Sequence, residues 1–129
     1  MDEMGGREGA GRHLALVVDD NLDLLETAAK LFEQIGFEVL TAADPAEALE
    51  ILRRTPDLEV LFSDVVMPGM SGIQLAREAR KMYSDIKIIL VSGYTSITTP
   101  AGLGTINDFD FVQKPYRFSD IVKLLAKPN

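Results

Sequence analysis

The stretch Leu14–Gly36, LALVVDDNLDLLETAAKLFEQIG, decides the class of this chain. Leu14 to Val18 is an unbroken apolar run of five, the mark of a strand covered on both faces. Asp19-Asp20-Asn21 interrupts it, and Leu24, Ala28, Leu31 and Ile35 then recur at helical spacing, with Leu25 and Phe32 beside them. Gly36 stands where such a helix stops. Strand, acidic loop and helix is therefore the opening unit.

The same unit repeats down the chain. Glu38–Ala42 reads as a second strand. Asp44-Pro45-Ala46-Glu47 starts a helix reaching about Arg53, with a capping Asp, a proline at the first helical position and an acid three residues after the cap. Val60–Ser63 is a third strand running into Asp64. A helix is expected over Ser71–Lys81, with Ile73, Ala76 and Ala79 on one face. Ile86–Val91 is a β-branched fourth strand and Phe109–Gln113 a fifth, before a last helix striped by Phe118, Ile121, Val122 and Leu125. Strands alternating with helices predict a doubly wound α/β domain with a five-stranded parallel sheet, because right-handed crossovers lay helices on both faces. The weak point is residues 96–107, SITTPAGLGTIN, where the fourth helix belongs. Its proline and two glycines predict a short or irregular helix.

Bulk properties narrow the function. The chain has 129 residues, enough for one domain, and no cysteine, which excludes disulfides, thiolate-bound metals and thiol catalysis. A net charge of −7 argues against nucleic-acid binding, which needs a basic face. No apolar run is long enough to cross a membrane and no signal peptide is visible, so a cytoplasmic location is expected. Residues 1–12, rich in glycine and without periodicity, read as a disordered leader before a domain spanning 13–127.

In open parallel sheets the binding crevice lies beyond the carboxyl ends of the strands. The residues found there are Asp19-Asp20, Asp64, Ser92 and Lys114-Pro115. Each has an ordinary reading when taken alone: acids start helices, and a lysine or strand-end serine is commonly solvated. Together they make chemical sense. Carboxylates about 4 Å apart repel by roughly 4 kcal/mol per pair at an effective dielectric of 20, so the cluster calls for a cation. All-oxygen ligands on an exposed rim suit Mg²⁺. A metal, a lysine and a hydroxyl around one carboxylate is also what phosphoryl transfer to that carboxylate requires, with Asp64 as the nucleophile.

The ordered set Asp19-Asp20, Asp64-Val65-Val66-Met67-Pro68-Gly69-Met70-Ser71-Gly72, Val91-Ser92-Gly93-Tyr94 and Lys114-Pro115 resembles the receiver domains of two-component response regulators, over Leu14 to about Ala126. The D-x-x-M-P-x-M-x-G run after a strand is its most specific element. The resemblance implies a flavodoxin-like sheet of order 2-1-3-4-5. It also implies a phosphorelay role in which Asp64 takes a phosphoryl group from a histidine kinase or histidine phosphotransfer protein. Mg²⁺ would be bound by Asp20, Asp64 and the backbone carbonyl of Val66, with Asp19 acting mainly through water. Lys114 and Ser92 would contact the phosphoryl group, next to a cis Lys114-Pro115 bond. Ser92 would then move inward and Phe111, in place of the commoner tyrosine, would rotate and alter an output face for a downstream protein target. Val66 and Tyr94 occupy the loop positions that influence dephosphorylation, and their bulk implies restricted water access. Partner specificity is expected on the first helix and the loop after the fifth strand.

Such a protein is a self-phosphorylating and self-dephosphorylating switch, not a turnover enzyme. Two alternatives stand beside it. A vestigial receiver would be an interaction module independent of phosphorylation, but would be expected to lack an acid or the lysine. An aspartyl phosphatase of haloacid dehalogenase type would want a second acid two residues after Asp64, where Val66 stands. The sequence fits a stand-alone regulator or the receiver part of a hybrid kinase, whose motifs Ser92-Gly93-Tyr94 resembles. It leaves the oligomeric state open.

Overall fold

The computed structural model describes residues 13–93 and 109–127. The strands are β1 (Leu14–Val18), β2 (Glu38–Ala42), β3 (Val60–Asp64), β4 (Lys87–Ser92) and β5 (Asp110–Gln113), all parallel in the order β2-β1-β3-β4-β5. Four helices are described: α1 (Leu22–Ile35), α2 (Pro45–Arg54), α3 (Gly72–Met82) and α4 (Phe118–Ala126). The doubly wound sheet expected from the alternation is the observed architecture. The irregular helix expected over 96–107 and the leader expected over 1–12 both lie outside the described residues.

Strand alternation sends side chains to two apolar layers. Leu14, Leu16, Val18, Leu61, Ile88 and Leu90 pack with α2 and α3 on one face. Ala15, Val17, Val60, Phe62, Ile89, Val91 and Val112 pack on the other with Phe32 of α1 and Ile121 of α4. The inner strands β1, β3 and β4 are buried along their whole length, whereas the edge strand β2 leaves Glu38 and Thr41 exposed. That difference explains why the inner strands are apolar on both faces. Phe32 is fully buried, edge-on to Phe37 and tilted against Phe62, a placement worth about 1.5–3 kcal/mol.

The helix starts form as their sequences dictate. Asn21 accepts from the amides of Asp23 and Leu24 at the start of α1, and Asp44 from that of Glu47 at the start of α2. Ser71 and Gln74 form a reciprocal capping box at α3. Gly36 ends α1 with φ +121°. The first residue of β4 is charged yet buried: Lys87 is only 7% exposed, 3.6 Å from Asp110 on β5, and donates to the carbonyl of Lys127. Its charge is buried because it is paired.

Candidate functional site

The register of the inner strands assembles the site. Val18 lies beside Ser63 in the β1–β3 ladder, so the next residues, Asp19 and Asp64, end adjacent strands. Asp64 lies beside Val91, Ser92 is one position further along β4, and Ser92 lies beside Gln113, which precedes Lys114. Two-residue alternation gives Asp19, Asp64 and Lys114 the phase of Val17, Phe62 and Val112, whose side chains share one layer. Three strands therefore deliver two acids and a lysine to the same corner of the sheet.

The distances follow from that placement. Lys114 Nζ is 3.6 Å from Asp64 Oδ2 and 3.9 Å from Asp19 Oδ2. Asp19, Asp20 and Asp64 each place a carboxylate oxygen within 4.8 Å of the others. Asp19 and Asp64 are buried, at 8% and 9% exposure, while Asp20 faces solvent. Asp19 accepts from the amide of Asn21, 2.9 Å from its Oδ1, so Asp19 and the cap of α1 belong to one turn. Burial raises the pKa of the Asp64 carboxyl from its ordinary value. Lys114 opposes that shift, Asp19 adds to it, and the backbone amides of Val65 and Val66 oppose it.

One ammonium does not balance three carboxylates, and the fold has burdened the most central of them with desolvation. Oxygens in an octahedral Mg²⁺ shell stand roughly 3–4.2 Å apart, given metal–oxygen distances of about 2.1 Å. The carboxylate oxygens of the cluster, all within 4.8 Å of one another, lie near that spacing. The residues present fit a hard divalent cation.

The loop after β3 is held close to the sheet. Val65 donates to the carbonyl of Val91 at 3.0 Å, and Gly72 donates to that of Val65 at 2.8 Å. Gly69 takes φ +89° to turn the chain. Gly72 is needed for a different reason: a Cβ there would sit 2.0 Å from the carbonyl oxygen of Asp64. Its signal in the sequence is a glycine at the first position of a helix, where nothing local favours one.

Of the other expected residues, Ser92 is buried and its carbonyl accepts from the Lys114 amide at 2.8 Å. Ser92 has the strand phase of Leu90, which lies beside Phe111. Ser92 and Phe111 are thus diagonal neighbours on the sheet face opposite Asp64 and Lys114, and Phe111 is half-buried against the α2–α3 layer. Val66 is 61% exposed at the mouth of the site. Tyr94 lies outside the described residues. The Lys114-Pro115 peptide is cis. Sequence reasoning passed over Tyr116, whose ring meets Phe62 edge-on at 5.5 Å and lines a groove with Asp19 and Lys114. No periodicity or motif marks that residue.

Comparison with known proteins bears directly on this arrangement. The family model of the response regulator receiver domain matches residues 15–126. The chain is a response regulator receiver domain. Two relatives show how such receiver domains are deployed. The receiver protein CpdR of Brucella abortus is 31% identical over 116 residues, 90% of this chain and 95% of that protein. The sensor kinase CckA of the same organism is 34% identical over 113 residues, 87% of this chain but 12% of the kinase. Among solved structures, a receiver domain protein of Clostridium thermocellum superposes with a TM-score of 0.80 at 28% identity, covering 88% of this chain and 91% of that one. The response regulator TrrA of Thermotoga maritima, in complex with Mg²⁺ and BeF, superposes with a TM-score of 0.77 at 29% identity, covering 88% and 96%. Membership in this family does not favour the haloacid dehalogenase alternative. No helix among the described residues is long and apolar enough to cross a membrane.

Proposed function

We propose that this receiver domain is a phosphoacceptor in a two-component phosphorelay, taking a phosphoryl group onto Asp64 from a phosphohistidine of a kinase or histidine phosphotransfer protein. The observation that carries the proposal is the placement of Lys114 Nζ 3.6 Å from Asp64 Oδ2, beside a three-carboxylate cluster that calls for a cation. TrrA, a structural relative, is seen with Mg²⁺ and BeF. A vestigial interaction module is not favoured, because each acid and the lysine are present and converge.

In the proposed reaction an Asp64 carboxylate oxygen attacks phosphorus, and the phosphorus–nitrogen bond of the donor breaks with its electron pair leaving on nitrogen. Asp19, Asp20, Asp64 and the backbone carbonyl of Val66 would hold Mg²⁺, which when bound supplies charge neutralisation to the phosphoryl oxygens. Lys114 holds a second positive charge against those oxygens, on the sheet face from which Asp64 attacks. Burial of Asp64 keeps its attacking oxygen poorly solvated.

Once attached, the phosphoryl group presents acceptors to the Ser92 hydroxyl, and movement of Ser92 frees space along its diagonal to Phe111. Phe111 then alters the output face that a downstream protein reads, without a tyrosine hydroxyl to anchor it. Val66 and Tyr94 limit the access of water to the acyl phosphate. The protein acts as a switch in the cytoplasm, not as a turnover enzyme, either alone or as the receiver part of a hybrid kinase. Its partners are proteins, not nucleic acid or membrane.

The test is Mg²⁺-dependent binding of beryllofluoride, followed by NMR in the wild type and in Asp64→Asn. Shifts around Asp64, Ser92 and Phe111 confined to the wild type are expected. Metal binding with no response to the mimic would leave the vestigial module as the better account.

A further inference from the structure

Ser63 is a polar residue in an apolar layer. It is fully buried, its ladder neighbours are Val18 on β1 and Leu90 on β4, and strand alternation gives it the phase of Leu61, in the layer covered by α2 and α3. A hydroxyl is costly in such a place unless it is hydrogen-bonded. It donates to the backbone carbonyl oxygen of Asp64 at 3.0 Å. That is the oxygen over which Gly72 closes, 2.0 Å from where a Cβ would stand. The glycine lets α3 cover the carbonyl, and the serine gives the covered oxygen a donor.

The same peptide unit is held at its other end, where the Val65 amide donates to the Val91 carbonyl at 3.0 Å. The Asp64 C=O and the Val65 N–H belong to one rigid plane, so bonds at both ends fix its rotation. That plane starts at the Cα carrying the nucleophilic carboxylate and leads to Val66, whose carbonyl is a proposed metal ligand.

We propose that Ser63 is a positioning residue for phosphoryl uptake: its hydroxyl, bonded to the Asp64 carbonyl, sets the peptide plane from which the Asp64 carboxylate is aimed. This inference rests on the phosphoacceptor reading of Asp64. Ser63 lies in the strand phase opposite that of Asp64 and Lys114, so it acts on the nucleophile through the main chain. Without the hydroxyl a buried carbonyl loses its donor, and the plane turns toward another, carrying the carboxylate and the Val66 backbone with it. A serine that merely fills space would be replaceable by any residue of suitable shape.

The experiment measures acyl-phosphate formation from acetyl phosphate in Mg²⁺ without denaturant, together with the carbonyl ¹³C shift of Asp64 by NMR, in the full chain and in Ser63→Ala, Ser63→Thr and Ser63→Val. Threonine and valine share a shape and differ in the hydroxyl, so that pair separates hydrogen bonding from packing. Ser63→Ala and Ser63→Val are expected to slow uptake on the order of tenfold, part of the roughly 10²-fold that a displacement of about 1 Å can cost, and to move the Asp64 carbonyl carbon upfield. Ser63→Thr is expected to keep that shift and to stay within about threefold of the wild-type rate. Ser63→Ala, which removes one oxygen and adds no volume, decides alone if the bulkier pair does not fold. Threonine and valine variants slowed alike would mean that shape alone is at work and overturn the proposal. So would an alanine variant within about twofold of the wild-type rate, or one slowed with the Asp64 carbonyl shift unchanged. A wild type that takes up no phosphoryl group would instead overturn the phosphoacceptor reading of Asp64 and this inference with it.

Discussion

Replacing Gly72 by alanine drives a Cβ to 2.0 Å from the Asp64 carbonyl oxygen and 2.9 Å from its carbonyl carbon. To reach even 3.0 Å, the start of α3 must move at least 1.0 Å from the end of β3. The obstacle is backbone, so no rotamer change relieves it. Overpacking of this kind costs roughly 1–3 kcal/mol. Separation also weakens the 2.8 Å bond from the Gly72 amide to the Val65 carbonyl, for about 1 kcal/mol more. Alanine's better helix propensity returns about 1 kcal/mol, leaving a net loss of about 1–3 kcal/mol. The functional cost is larger, because a displacement of about 1 Å at a reacting group can cost on the order of 10²-fold in rate. Urea unfolding at constant m-value measures the first effect, and acyl-phosphate formation from acetyl phosphate the second. Gly36→Ala is the control: φ +121° strains an alanine there by roughly 1–3 kcal/mol, but the position lies after α1, away from the site. It should lose stability and keep its phosphorylation rate. A Gly72→Ala protein as stable as the wild type, with uptake unchanged, would refute the argument that this close approach positions Asp64.

Three further outcomes follow from the same geometry. Because burial raises the Asp64 pKa in the folded state, the fold favours the protonated acid; without Mg²⁺, ionisation of Asp64 removes stability as pH rises from the unfolded carboxylate value through the folded one. Asp64→Asn should therefore gain stability over the metal-free wild type across that window and keep a constant advantage at neutral pH, checked by urea midpoints from acid to neutral pH; a constant difference at every pH would remove the titration argument. Lys114→Ala should still bind Mg²⁺ through the carboxylates yet take up phosphate on the order of 10²–10³-fold more slowly, measured by NMR titration and by acyl-phosphate assay. Ser71→Ala removes the side chain that accepts from the Gln74 amide and should cost about 1 kcal/mol in urea unfolding, with the protein still able to be phosphorylated.

Much of this protein was legible before any coordinates. The apolar runs at Leu14 and Ile86, the cap signals at Asp44 and Ser71 and the break at Gly36 act locally, through solvation and backbone geometry, so each predicted its element to within a residue or two. The deviations sit at strand ends. Asp64 and Ser92 complete β3 and β4 because their ladder partners are in place, a nonlocal cause. Lys87 lies in a buried strand because Asp110 comes from another strand to pair it, a contact no local pattern encodes.

The sequence by itself determined the fold class and the list of polar residues at the carboxyl ends of the strands, since strand period and helix period are written in the order of residues. Only the tertiary structure decided how those residues meet. Register sets Asp19, Asp64 and Lys114 in one phase and Ser92 with Phe111 in the other. Close approach explains Gly72, and packing on Phe62 brings Tyr116 to the edge of the acid cluster. Each of these depends on distances between segments far apart in the chain, and such distances are fixed by the packing of the whole sheet.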